Sequence, residues 1–294
     1  MERRQPKERR SSTMFQGDLL RGKRILITGG GTGLGRSIGK RYLQLGADLV
    51  ICGRRKEVVE AAAGELNTET GGKVAALQCD VRDADAVEQM MNRIWDGGPL
   101  DVLVNNAAGN FLAQTHKLSP RAIDSVLGIV LHGSAYCTVA AGRRWIEAGR
   151  GGTVLSILTL GALTGAPFTA PNAMAKAGVL AMTKSLAAEW GPKGIRLVAI
   201  APGPFPTPGA WERLMPEQKA KADPIEKSIP LRRVGQHEEL ANLASYLVSD
   251  QAGYITGQCV VIDGGKMLIG GGGGVNTASM LDWTDEQWAE LRKK

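Results

Sequence analysis

Five glycines crowd the segment Thr28-Gly29-Gly30-Gly31-Thr32-Gly33-Leu34-Gly35, which joins an apolar run to a helical pattern. Glycine lets a backbone turn sharply and approach a ligand closely, and the N-terminus of the following helix offers free N–H groups and a partial positive charge. That combination suits a pyrophosphate, and the strand–turn–helix setting suits a dinucleotide. The second apolar run ends Ile51-Cys52-Gly53-Arg54-Arg55. A site for NAD normally carries an acidic residue at this point to hold the ribose hydroxyls. None is present here. Gly53 leaves space, and Arg54 can form bidentate, charge-assisted bonds to a 2′-phosphate. Together these features point to NADP(H), with Gly29, Gly31, Thr32, Gly33, Leu34, Gly35 and Arg54 as contacts.

These residues need a frame to position them. Short apolar runs at 24–28, 48–52, 74–79, 102–104, 153–157, 196–200 and 259–262 read as strands, several apolar on both faces as in the interior of a parallel sheet. Helical patterns at 36–46, 55–69, 84–95, 121–147, 173–190 and 238–248 alternate with them. The expectation is one doubly wound, Rossmann-like α/β domain with a mostly parallel seven-stranded sheet. It would span 14–269, with a Pro-rich, basic connection at 203–231 placed as a substrate lid. A basic, disordered tail at 1–13 would precede it. A glycine-rich linker and polar tail at 270–294 would follow.

Composition narrows the function classes. The 294 residues carry a formal charge of +7, of which +3 falls in the first thirteen. A basic tail can serve a nucleic acid, but the sequence offers no further sign of one. The basic body suits an anionic small molecule instead. There is no apolar run near the length of a membrane span. Cys52, Cys79, Cys137 and Cys259 lack metal-ligand spacing and read as buried free thiols of a reducing compartment. The three histidines are too scattered for a metal site. With no secretory signal legible, cytoplasm is the default location, an organelle being left open.

Further motifs follow in order: Asp80-Val81, then Asn105-Asn106-Ala107-Ala108-Gly109, then Pro202-Gly203-Pro204 before Phe205. With the glycine turn they resemble the short-chain dehydrogenase/reductase family. The resemblance implies that Asp80 and Val81 hold the adenine, that Asn105, Ala107 and Gly109 wall the cofactor, and that Pro202, Gly203 and Phe205 lie at the nicotinamide. It also implies a tetramer assembled through the long central helices.

The reaction site departs from the family pattern. Most members carry a Tyr four residues before a Lys, with a Ser upstream, and the Lys lowers the phenol pKa and holds the nicotinamide ribose. Here Lys176 is present but Asn172 stands four before it, Ser156 is too far upstream, and His132 takes the place of a usual Asn. A carboxamide has no usable proton near neutral pH, so ketone–alcohol chemistry lacks its acid.

One branch without that Tyr is the 2,4-dienoyl-CoA reductases. The chain is similar to the mitochondrial type at Asn105 to Phe111, Ala173 to Gly178, Met182 to Trp190, Gly209-Ala210 with Arg213-Leu214, and Thr284 to Trp288. The resemblance implies NADPH-dependent reduction of an unsaturated acyl-CoA thioester, as in fatty acid β-oxidation. Asn110 and Asn172 would bond the thioester oxygen, Lys176 would fix the cofactor ribose and add positive charge, Phe111 would line the substrate, and Arg213 would meet a coenzyme A phosphate. That branch also has a proton-relaying Tyr where this chain has Gly161. Water, or His132, would then supply the proton. A trans-2-enoyl-CoA reductase and a non-catalytic NADPH-binding protein remain alternatives.

Overall fold

The computed structural model describes residues 17–208, 225–270, 280 and 282–291. Its seven strands are β1 (Arg24–Thr28), β2 (Asp48–Gly53), β3 (Val74–Gln78), β4 (Val102–Asn105), β5 (Gly152–Ile157), β6 (Ile195–Pro202) and β7 (Cys259–Ile262). They form one sheet in the order β3-β2-β1-β4-β5-β6-β7, every pairing parallel. The order reverses between β1 and β4, so the crevice beyond the carboxyl ends of these strands is the place for a ligand. The central strands are apolar because both their faces are covered. β4 is buried throughout, whereas the edge strand β3 is only partly so.

The helices are α1 (Gly33–Gln44), α2 (Lys56–Thr70), α3 (Ala84–Asp96), α4 (Pro120–Leu127), α5 (Gly133–Glu147), α6 (Gly161–Thr164), α7 (Ala170–Trp190), α8 (His237–Val248), α9 (Lys266–Gly270) and α10 (Asp285–Leu291). Alternation along β1 sorts them into two layers. Ile25 and Ile27 pack in a core with Tyr42 of α1, Leu66 of α2 and Leu240 of α8. Leu26 faces the other core, with Met91 of α3, Trp145 of α5 and Trp190 beside it. Local signals fix the ends. Asp83 caps α3 by accepting from the N–H groups of Asp85 and Ala86 (2.9 and 3.1 Å), and α2 stops at Gly71, whose φ of 67° is left-handed.

One expected helix is not uniform. The stretch expected at 121–147 contains a π-helical turn, Gly128–His132, between α4 and α5. Such turns insert an extra residue and re-aim side chains, often beside functional sites. The whole run Pro120–Glu147 is long and apolar enough to cross a membrane by composition, but half of its most apolar window is buried within the fold, as in a core helix. At the C-terminal end, the described residues do more than trail away. Asp282 pairs with Arg232 at 2.6 Å, and the rings of Trp283 and Trp288 lie 5.0 Å apart.

Candidate active site

The glycine turn is built as its composition requires. Gly29 and Gly33 have φ of +66° and +54°, a conformation that strains other residues. A Cβ on Gly35 would lie 2.5 Å from Asn106 Nδ2 and 2.6 Å from the Gly29 carbonyl oxygen, so helix and turn meet too closely for any side chain. Asn106 clamps the turn, its Nδ2 donating to the carbonyls of Thr28 (3.0 Å) and Gly29 (3.2 Å). The Thr28 hydroxyl accepts the N–H groups of Asn106 and Ala107, both at 3.0 Å. Thr32 precedes α1 in extended backbone and no side chain caps the helix, so its first N–H groups stay open to an anion.

A cleft of about 350 Å³ opens at this edge, across the ends of β1 to β4. Gly29, Gly31 and Thr32 form one wall, while Asp80, Val81, Ala107 and Gly109 contribute others. Arg54, Arg55 and Arg82 also line it. Arg54 is exposed and makes no ion pair with any described residue. Asp80 is held by Arg82, whose guanidinium keeps the carboxyl below the usual carboxylate range. The wall therefore presents unpaired positive charge and no unpaired carboxylate, which fits a dinucleotide bearing an extra phosphate. Cys52 and Cys79 lie on its floor as free thiols, Cys79 pushed up to about 11 by burial.

The other half of the site lies on α7 and the loop after β4. Lys176 is buried, its Nζ donates to the Ile157 carbonyl at the end of β5, and burial lowers its pKa to about 8. Asn172, 5% exposed, donates through Nδ2 to the Gly109 carbonyl at 3.4 Å and so joins the two halves. Asn110 accepts the Phe111 N–H at Oδ1 (2.9 Å), which leaves its amide N–H groups free to donate. None of the four tyrosines shares a hydrogen bond with Asn172 or Lys176. Tyr42 is sunk in the core, its hydroxyl donating to the Ala244 carbonyl at 3.3 Å.

Several side chains named from the sequence have packing or hydrogen-bond partners of their own. Asn105 directs its side chain into the α5 layer, donating from Nδ2 to Thr138 Oγ1 at 2.8 Å. Phe205 packs its ring over Gly235 in the core, so only its backbone can face a cofactor. Phe111 packs with Val126, Val130 and Ala175. Leu34 also packs against the core. His132 is exposed at the end of the π turn, its ring 6.1 Å from that of Tyr136, and it makes no hydrogen bond to Asn172 or Lys176. Pro202 and Gly203 close β6, where a Cβ on Gly203 would meet Asp263 at 2.7 Å. Arg213 lies outside the described residues. Two groups escaped the sequence reading. Arg82 enters the cleft only through the fold. Thr159 puts its hydroxyl 3.5 Å from where a Gly161 Cβ would be, and Ala173, next to Asn172, is 3.7 Å from the same point.

Residues 29–266 match a family model described as enoyl-(acyl carrier protein) reductase. A probable 2,4-dienoyl-CoA reductase of Bacillus subtilis is 42% identical over 84% of this chain and 97% of its own length. A probable 2,4-dienoyl-CoA reductase 3 of Caenorhabditis elegans is 38% identical over 96% and 92%. An uncharacterized oxidoreductase of the same nematode is 44% identical over 92% and 87%. Among solved structures, a gluconate 5-dehydrogenase from Burkholderia cenocepacia in complex with NADP and tartrate superposes with a TM-score of 0.80 at 29% identity, covering 86% of this chain and 98% of that one. The glycine turn, the parallel sheet and the buried lysine thus belong to a chain that is a member of the short-chain dehydrogenase/reductase family, closely related to the 2,4-dienoyl-CoA reductases.

Proposed function

We propose that this oxidoreductase is an NADPH-dependent reductase of unsaturated acyl-CoA thioesters, of the 2,4-dienoyl type. The observation that carries this reading is the pairing of buried Asn172 with buried Lys176 where a phenol would be needed for ketone chemistry. Two carboxamides and an ammonium can stabilise a delocalised enolate oxygen without giving up a proton. The relatives' printed activities support the same chemistry.

In this scheme Gly29, Gly31, Thr32 and the open N-terminus of α1 hold the pyrophosphate, and Arg54 holds the 2′-phosphate. The nicotinamide cofactor, when bound, supplies the hydride. Asn110 and Asn172 donate to the thioester oxygen. Lys176 holds positive charge beneath them in a site of low dielectric, where it acts more strongly than in water. Arg213 would meet a phosphate of coenzyme A. Carbon protonation falls to water, since Gly161 offers no side chain and His132 makes no hydrogen bond to Asn172 or Lys176. Exposed apolar residues on the central helices, Tyr136, Val139 and Ile146 of α5 and Met174 of α7, support assembly as a homotetramer. The activity would serve the breakdown of unsaturated acyl chains.

A second reading, reduction of a simple 2-enoyl thioester, is favoured by the family model's description. NADPH absorbance would be followed in parallel with a 2,4-dienoyl-CoA, a 2-enoyl-CoA and a 3-ketoacyl-CoA. Loss of NADPH with the dienoyl thioester supports the proposal, and loss with the 2-enoyl thioester alone supports the second reading. Turnover of the ketoacyl thioester overturns the argument from Asn172. No turnover with NADPH bound leaves a binding protein.

A further inference from the structure

His237, the first residue of α8, touches two segments that lie far apart in sequence. Its Nδ1 is 2.7 Å from Ser37 Oγ, one turn into α1, and its Nε2 is 2.7 Å from the carbonyl oxygen of Pro206. A carbonyl only accepts, so Nε2 carries a proton and donates to Pro206. In the neutral ring Nδ1 accepts the Ser37 hydroxyl proton. In the cationic ring Nδ1 donates to Ser37 Oγ instead, and the Ser37 hydroxyl turns to the Gly33 carbonyl, 3.2 Å away. The bridge therefore stands in either protonation state.

Its two ends matter because of where they lie. Ser37 lies one turn along α1 from Gly33, beside the helix start whose open N–H groups are read above as the pyrophosphate site. Pro206 and Thr207 belong to the segment that leaves β6 after Pro202-Gly203, which the family resemblance would set at the nicotinamide. A Cβ on Gly33 would sit 3.3 Å from Thr207 Cγ2, so the segment already rests on the helix start. The same segment is held from behind, Gly203 N–H donating to Ile262 and Gly235 N–H to Pro204, each at 2.9 Å. His237 alone among these contacts ties it to α1 by hydrogen bonds on both sides. The α1–α8 packing does not depend on it, because Arg41 Nε donates to Asn242 Oδ1 (2.8 Å) and Tyr42 is buried between the two helices.

We propose that His237 is a positioning residue that fixes the spacing between the phosphate-binding turn of α1 and the 203–207 segment, and so holds both halves of the dinucleotide at once. The inference rests on the NADPH reading above and is independent of which acyl thioester is reduced.

The test is calorimetric titration of wild type, H237A and H237Q with two ligands, NADPH and adenosine 2′,5′-bisphosphate, with thermal melting alongside. The bisphosphate fills the adenosine end, with its 5′-phosphate at the turn of α1, and lacks the nicotinamide riboside that the 203–207 segment would face. H237A should weaken NADPH by about three- to tenfold, the range expected for one or two lost hydrogen bonds, and leave the bisphosphate unchanged. H237Q keeps a donor toward the Pro206 carbonyl and should recover part of the loss. Equal weakening of both ligands, or of neither, overturns the inference while leaving the cofactor reading intact. Wild-type protein that binds neither ligand overturns both.

Discussion

Asn172 lies one helical turn before Lys176 on α7, and the two are hydrogen-bonded to different segments, Asn172 to the Gly109 carbonyl after β4 and Lys176 to that of Ile157 at the end of β5. Both are almost fully buried. This places a neutral donor above a buried cation, at the junction of the cofactor cleft and the reaction site. Replacing the amide by an isosteric carboxylate, Asn172→Asp, removes the donor and sets a negative charge where an enolate would form. Turnover should fall by roughly 10²–10³-fold, as for loss of an oxyanion donor. NADPH affinity measured by titration should stay within about twofold, below the effect of a lost hydrogen bond. Unchanged turnover would remove Asn172 from the mechanism.

Lys176 has a pKa near 8, lowered by burial from 10.5. Its charge therefore fades as pH rises through about 8, and with it the stabilisation of an anionic intermediate. Turnover should decline above that pH, and a rate flat to pH 10 would sink the assignment. Stability moves the other way. Between about 8 and 10.5 the unfolded chain binds the proton that the folded chain has released, so stability rises with pH across that window. Denaturant melts at several pH values separate the two effects.

Arg54 is exposed at the cleft and unpaired among the described residues. Arg54→Ala should weaken NADPH binding by about 10- to 100-fold, the worth of a charge-assisted bidentate contact, and leave NADH nearly unaffected. The ratio of the two dissociation constants is the measurement. An unchanged ratio would move the 2′-phosphate to Arg55 or Arg82.

Gly35→Ala forces a methyl against Asn106 and the Gly29 carbonyl. Overpacking at so tight a contact should destabilise by about 1–3 kcal/mol, seen as a lower denaturation midpoint, and weaken NADPH binding as the turn shifts. Native stability in this variant would show that the helix and turn have slack.

Phe168 holds a φ of 63° and is 59% exposed, while its carbonyl accepts the Ala113 N–H at 2.9 Å. A bulky residue in this region stores about 1–3 kcal/mol of strain. Phe168→Gly should therefore keep or raise the melting temperature despite the loss of a large side chain. A drop of several degrees would mean that the ring packs against something in solution, such as a second copy of the chain.

Much of this was legible from the residues themselves. The strands could be placed because a parallel sheet covered on both faces demands continuous apolar runs. The glycine turn could be read because positive φ and close approach leave no other residue type at Gly29 and Gly35. The missing acid at the end of β2 and the missing phenol at Asn172 are statements about residue type, so they needed no coordinates.

Direction was not legible. Asn105, Phe111 and Phe205 sit in the expected segments, yet they turn to Thr138, to the α4 cluster and to Gly235, because each lies where strand pleat and helix packing choose the face. The π turn at Gly128–His132 was likewise not legible, because the apolar pattern runs unbroken through it. His237 bonds Ser37 across a long sequence separation, and only packing brings the two together. Sequence alone determined the fold class, the phosphate-binding turn and the chemistry the site lacks, since all three follow from local residue type and period. Tertiary structure decided which side chains meet, because a contact between Ser37 and His237 depends on the placement of everything between them.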